Sequence, residues 1–178
     1  MREVRKALIL FLTVSVLAIS IPVLGFCADK THIVLSGLGI AAADESAPSY
    51  KKFGAGFSFE VGQQITDKTI AVSSFYASEL YGETGISSVN FKSVVGGVKY
   101  FFKEIENTKL NFYMMGATGW EALKDNGGTD NGLSLLFGAG SLYRLSQDFN
   151  LNVDLKVNTL GDDKTVIIGS VGVGATLF

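Results

Sequence analysis

The chain has 178 residues, with 15 basic and 17 acidic side chains, a single cysteine and 21 glycines. That length sets one domain rather than two, and the slightly acidic balance gives no basis for nucleic-acid binding. One cysteine excludes an internal disulfide.

Residues 1–28 are set apart from the rest. Arg2, Arg5 and Lys6 precede an apolar stretch from Ala7 to Gly25, the layout of a secretory signal peptide. Its length approaches that of a spanning helix, so an uncleaved inner-membrane anchor is the competing interpretation. Pro22 and Gly25 favour cleavage, at a position left open between 25 and 28. Lipid attachment at Cys27 is disfavoured by Phe26, which stands where such sites require a small residue. Removing three of the 15 basic and one of the 17 acidic residues leaves 12 and 16, a net charge of −4 for residues 29–178.

Eight strand-length segments follow: Thr31–Ala42, Phe53–Gln64, Thr69–Tyr81, Ser87–Phe102, Leu110–Leu123, Gly132–Leu145, Phe149–Leu160 and Thr165–Phe178. Each meets the length of about 9–11 residues that a tilted membrane strand needs. The first segment can be assigned in either frame. In the second, Phe53, Ala55, Phe57, Phe59 and Val61 oppose Gly54, Gly56, Ser58, Glu60 and Gly62. The fourth changes frame near Gly96-Gly97, where a bulge is expected. In the fifth, Leu110, Phe112, Met114 and Trp120 oppose Asn111, Tyr113, Ala117, Gly119 and Glu121; the sixth sets Leu133, Leu135, Phe137, Ala139 and Tyr143 against Ser134, Gly138, Gly140 and Arg144. The seventh alternates without interruption from Phe149 to Thr159. The eighth carries Ile167, Val171, Val173, Ala175 and Leu177 on one face, leaving Phe178 out of step.

Strand side chains alternate between faces, so each segment has one bulky apolar face and one of Gly, Ser, Asn and charge. A half-buried soluble strand shows the same alternation. Its recurrence behind an export signal, with no later apolar run of helix-spanning length, predicts an all-β, eight-stranded antiparallel up-and-down transmembrane β-barrel. Pro48, the only proline after the signal, falls in the first connection. Tyr100, Phe101, Phe102, Phe112, Tyr113, Tyr143, Phe149 and Phe178 are expected at one rim, and Tyr50, Phe53, Tyr81 and Trp120 at the other.

An even strand number puts both termini in the periplasm. Turns Ile65–Lys68, Lys103–Lys109 and Ser146–Asp148 then face inward, and Ala43–Lys52, Gly82–Ile86, Lys124–Asn131 and Gly161–Lys164 face outward. The runs Phe137-Gly-Ala-Gly-Ser-Leu-Tyr-Arg-Leu-Ser-Gln-Asp-Phe-Asn-Leu-Asn-Val-Asp-Leu and Val95-Gly-Gly-Val-Lys-Tyr-Phe-Phe, with the terminal Phe178, resemble the small OmpA/OmpX-type outer-membrane barrels. The resemblance implies the barrel domain alone, in the outer membrane of a Gram-negative bacterium, with Phe178 as an assembly signal.

Six charged residues are expected on the inner face: Glu60, Glu79, Glu121, Arg144, Asp154 and Lys156, with Lys92 and Lys99 as possible additions. A charged lumen suits an ion path, but buried ions need compensation, so a mutually paired plug is the expectation for so narrow a barrel. Lys124-Asp-Asn-Gly-Gly-Thr-Asp-Asn resembles a calcium loop without the distal glutamate, and its Asn-Gly and Gly-Gly favour turn chemistry instead, so no metal is expected. His32, the only histidine, has no evident nucleophile or acid in sequence, and no catalytic group or cofactor is expected. The resulting expectation is a structural, non-enzymatic, monomeric outer-membrane barrel. Its expected partners are membrane lipid, lipopolysaccharide and the assembly machinery. A small channel using the Gly-rich inner faces of Phe53–Gln64 and Thr165–Phe178, or a surface binder using Ala43–Lys52 and Lys124–Asn131, remain the alternatives.

Overall fold

A computed structural model describes residues 30–42, 50–82, 88–105, 108–125, 128–160 and 164–177. The signal segment with Cys27, Pro48 and Phe178 lie outside these residues. Eight strands run β1 Thr31–Ala42, β2 Tyr50–Thr66, β3 Thr69–Gly82, β4 Ser88–Phe101, β5 Leu110–Asp125, β6 Gly128–Arg144, β7 Phe149–Leu160 and β8 Lys164–Leu177. Every strand pairs antiparallel with its sequence neighbours, and β1 closes on β8 from Thr31↔Leu177 to Ala42↔Val166. The result is a closed up-and-down barrel, which leaves no unpaired edge for lipid to meet.

The outer wall follows the alternation. Phe57, Leu133, Phe137, Leu155 and Val171 all stand on the exposed face. Several outward aromatics lie towards the two ends, Tyr100, Phe102, Phe112, Tyr143 and Phe149 near the end where β1 begins, Phe53, Tyr81 and Trp120 towards the other, while Phe57, Phe59 and Phe137 stand at mid-height. Phe101 and Tyr113, which the sequence suggested for the rim, instead point inward and are 1% exposed, with ring centroids 5.0 Å apart. Both belong to the lumen frame of their strands.

No bulge interrupts β4. Its register with β3 and with β5 is continuous through Gly96 and Gly97. Phe91, Ser93, Val95, Lys99 and Phe101 share the inner face, while Lys92, Val94, Val98 and Tyr100 alternate outside it. Gly97 lies on the inner face for a different reason. A Cβ there would fall 2.2 Å from the Gly116 carbonyl oxygen, so its absence lets β4 and β5 coil tightly against each other. The register shifts occur in β2, between Tyr50 and Gly54 and between Gln64 and Thr66.

The Lys124–Asn131 connection also differs from expectation. β5 and β6 stay paired up to Asp125↔Gly128, with Lys124↔Thr129 and Ala122↔Asn131 in register. The stretch considered as a metal loop is thus mostly a continuing hairpin, as Gly-containing turn chemistry favours. In β1 the frame left open is settled with His32, Val34, Ser36, Leu38 and Ile40 inside and Leu35 outside.

Candidate functional site

An eight-stranded barrel encloses just enough width for side chains to fill. Here the filling is sorted by depth. Towards the end where β1 finishes and β2 begins, the lumen holds Leu38, Ile40, Leu80, Phe91, Val166 and Ile168, all buried. Below them comes a polar layer, with Ile70 and Met115 level with its Lys99, and below that Phe101 and Leu142.

The polar layer is a connected network. Lys99 of β4 donates to Glu60 of β2 at 2.5 Å, and Ser74 of β3 donates to the other oxygen of the same carboxylate at 3.2 Å. The Lys99 ammonium also sits 4.8 Å from the ring centroid of Tyr113 on β5. The Tyr113 hydroxyl donates to Asp154 of β7. Asp154 receives two further bonds on its second oxygen, from Lys156 at 2.8 Å and from Ser170 of β8 at 2.9 Å. Lys156 completes the span by lying 5.3 Å from the ring of Tyr76 on β3. Two cations and two carboxylates therefore balance across the width of the lumen, each with hydrogen-bonding company, which is the condition for burying charge.

Local sequence explains the arrangement. Asp154 and Lys156 are two apart on one strand, so they share a face and meet as neighbours. Their cross-strand partners are Gly140 and Gly138, which yield the volume the long side chains occupy. A Cβ on Gly140 would lie 2.5 Å from the Asp154 carboxylate and 2.7 Å from the Tyr113 phenol.

The structure separates the six expected charges. Glu60, Asp154 and Lys156 meet in one network together with Lys99. Glu121 is buried higher, where the Asn158 amide donates to it. Arg144 sits apart at the end of the barrel where β1 begins, and donates to the Ile105 carbonyl at 2.5 Å. Glu79 is a correction: its place in β3 alternates with buried Ser78 and Leu80, and it faces outward, exposed. Lys92 faces outward likewise, alternating with buried Phe91 and Ser93. In both strands the lumen needed apolar bulk at this level, and the charges took the opposite frame.

At the end of the barrel where β1 begins, the described residues that follow β4 fold under it. Ile105 is buried, its amide donates to the Asp67 carbonyl at 2.9 Å, and Asn111 holds the Lys103 and Glu104 carbonyls at 2.9 and 3.2 Å. Beside this strap opens a cavity of about 370 Å³ lined by side chains from both ends of the chain, among them Lys30, His32, Gln64, Arg144, Asn150 and Thr176. His32 is buried and its Nδ1 lies 3.1 Å from the Thr176 hydroxyl. Nothing in sequence links two residues so far apart; only the β1–β8 closure, which sets His32 opposite Thr176, brings them together.

No family model matches the chain, and no curated protein matches it. Solved structures do. The attachment invasion locus protein Ail of Yersinia pestis is 18% identical with a TM-score of 0.59, covering 83% of this chain and 98% of its own. Neisserial surface protein A aligns at 14% identity with a TM-score of 0.66, covering 82% and 96%. The outer membrane protein OprG from Pseudomonas aeruginosa aligns at 9% identity and 0.65, covering 83% and 95%. The chain has the fold of the small OmpA/OmpX-type outer-membrane barrels. With its largely apolar outward face, it is a transmembrane barrel.

Proposed function

We propose that this protein is a structural, non-catalytic barrel of the Gram-negative outer membrane that contributes to envelope integrity. In this reading its signal segment is cleaved, it acts as a monomer, and Phe178 is its assembly signal. The observation that carries the proposal is the bridged lumen. The contacts from Glu60 through Lys99, Tyr113 and Asp154 to Lys156 run from β2 to β7, and above them lies a mostly apolar filling that includes the Glu121–Asn158 pair. A continuous water path would require these pairs to part and leave buried charges uncompensated. Conductance of the purified barrel in a planar bilayer tests this. Silence is the expected result; steady ion-selective steps would overturn it.

One observation favours a second, surface-binding role. Lys92 and Lys124 face outward near the extracellular end, exposed, in the two successive rows above Trp120 on the β4–β5 wall, with the exposed Glu79 of β3 on the far side of Asn90 from Lys124. Ail has been crystallised in complex with the heparin analogue sucrose octasulfate. Two outward lysines against one outward carboxylate leave a small positive excess, which suits a polyanion or the phosphates of lipopolysaccharide. Salt-sensitive retention on a heparin column, lost in the Lys92→Glu/Lys124→Glu variant, would support that role.

A further inference from the structure

We propose that the lumen binds a small cluster of internal water on one polar arc of its wall, at the level just above the ionic layer. Five neighbouring strands each contribute buried polar side chains there: Tyr76 and Ser78 on β3, Ser93 on β4, Glu121 on β5, Ser134 on β6 and Asn158 on β7. Strand register sets them side by side. Tyr76 pairs with Ser93, and Ser93 pairs with Glu121. Glu121 pairs with Gly132 and Asn158 with Leu136, so Ser134, midway between those two on the same face of β6, lies along the Asn158–Glu121 hydrogen bond. The Tyr76 ring lies 5.3 Å from the Lys156 ammonium, so the phenol crosses the lumen towards the strand that carries Asn158.

The hydroxyls of Tyr76, Ser78, Ser93 and Ser134 and the Asn158 Oδ1 hydrogen-bond to no protein group. Their residues are at most 8% exposed, so bulk solvent does not reach them. Buried polar atoms without a partner are rare, and each costs free energy. The chemistry of the set selects the ligand. Asn158 Nδ2 already donates to Glu121, so the amide oxygen is met only by a donor. Each hydroxyl brings a proton of its own and needs an acceptor for it. A metal cation supplies no acceptor, and an anion supplies Asn158 no donor; water supplies both. At about three hydrogen bonds per buried water, these atoms call for about two molecules. An eight-stranded lumen is just wide enough for side chains to fill, and serines on three of these strands fill less of it than Leu80 and Phe91 do above them. The wall opposite is apolar, Ile40 paired with Ile168 and Leu38 beside them, which confines the water to the arc.

A crystal structure of the barrel that resolves ordered water tests the site directly. Water is expected about 2.7–3.2 Å from the Ser93 and Ser134 hydroxyls and from Asn158 Oδ1. Finding those oxygens paired with one another or with the backbone, and no water among them, would overturn the proposal. Soaking the crystals in rubidium chloride separates water from an alkali cation, and an anomalous peak on the arc would overturn it too. Stability supplies an independent sign. With water in place, Ser93→Ala and Ser134→Ala each remove a bond from the cluster and should lower the urea midpoint of the barrel in lipid vesicles by about 0.3–1 M. With the hydroxyls unsatisfied, the same substitutions remove a buried penalty, and the midpoint rises. A raised or unchanged midpoint in either variant would therefore refute water on the arc. Heat-modifiable gel migration confirms that each variant is folded.

Discussion

Replacing Lys99 with methionine isolates the energetics of the lumen. The residue is 3% exposed, its ammonium lies 2.5 Å from the Glu60 carboxylate, and it also faces the Tyr113 ring. Methionine fills much of the same volume, so packing changes little and the lost charge dominates. Glu60, 6% exposed, would keep only the Ser74 hydroxyl among the donors that now hold it. Breaking a buried pair by removing one partner costs about 3–5 kcal/mol. The lost cation–π contact adds about 0.5–2 kcal/mol within the same order of magnitude. Lys99→Met should therefore lower stability by about 3–5 kcal/mol. Adding Glu60→Gln removes the stranded charge while keeping an acceptor for Ser74, and the double variant should regain about 2 kcal/mol or more of that loss.

The assay is urea unfolding of the barrel in lipid vesicles, followed by heat-modifiable gel mobility and by emission of the single tryptophan, Trp120. Lys92→Met is the internal control. It removes an outward, exposed lysine from the same strand and should change stability by about 1 kcal/mol or less. Equal effects at Lys92 and Lys99 would refute the assignment of the lumen frame. A double variant as unstable as Lys99→Met plus Glu60→Gln taken separately would refute the pairing.

Three further outcomes follow from the same geometry. Gly140→Ala places a Cβ against Asp154 and Tyr113 and should cost about 1–3 kcal/mol, whereas Gly39→Ala, with nothing within 4 Å, should be near neutral in the same urea titration. Phe137→Arg puts a charge on the lipid-facing wall, where 60% of the side chain is exposed, and should cost about 2–4 kcal/mol, against at most about 1 kcal/mol for Tyr81→Arg nearer the interface. Arg144→Met releases the Ile105 carbonyl and should cost about 1.5–3 kcal/mol, with faster amide exchange at Ile105, read by hydrogen exchange, and no change at Asp154.

The outer wall was legible because lipid imposes one rule along its whole height. Apolar side chains at every second position satisfy it, and Phe149 to Val157 or Leu133 to Phe137 show the period directly. The lumen obeys a different rule, which is to fill a fixed volume and satisfy whatever is buried. Apolar residues meet that rule as well as polar ones. In β4 the inner residues Phe91 and Val95 stand beside the outer residues Val94 and Val98, so neither face is distinctive. Both faces of β1 carry apolar bulk too. In such strands the frame is fixed by register with neighbours, which β3 and β5 supply to β4 through unbroken pairing.

The same distinction explains the displaced charges. Placing every strand charge inside assumes that the lipid-facing wall is uniformly hostile to ions. That hostility depends on depth, falling towards the interfaces where a long side chain reaches headgroups and water. Glu79 lies two residues from Tyr81, an outward aromatic near the strand end, so its exposed position is one where a carboxylate finds solvent. Asp154 and Lys156 lie near the middle of β7, where only the lumen offers partners. Depth along the strand therefore carries information that alternation alone does not. A charge near mid-strand identifies the inner face, whereas a charge within a few residues of a strand end identifies neither face.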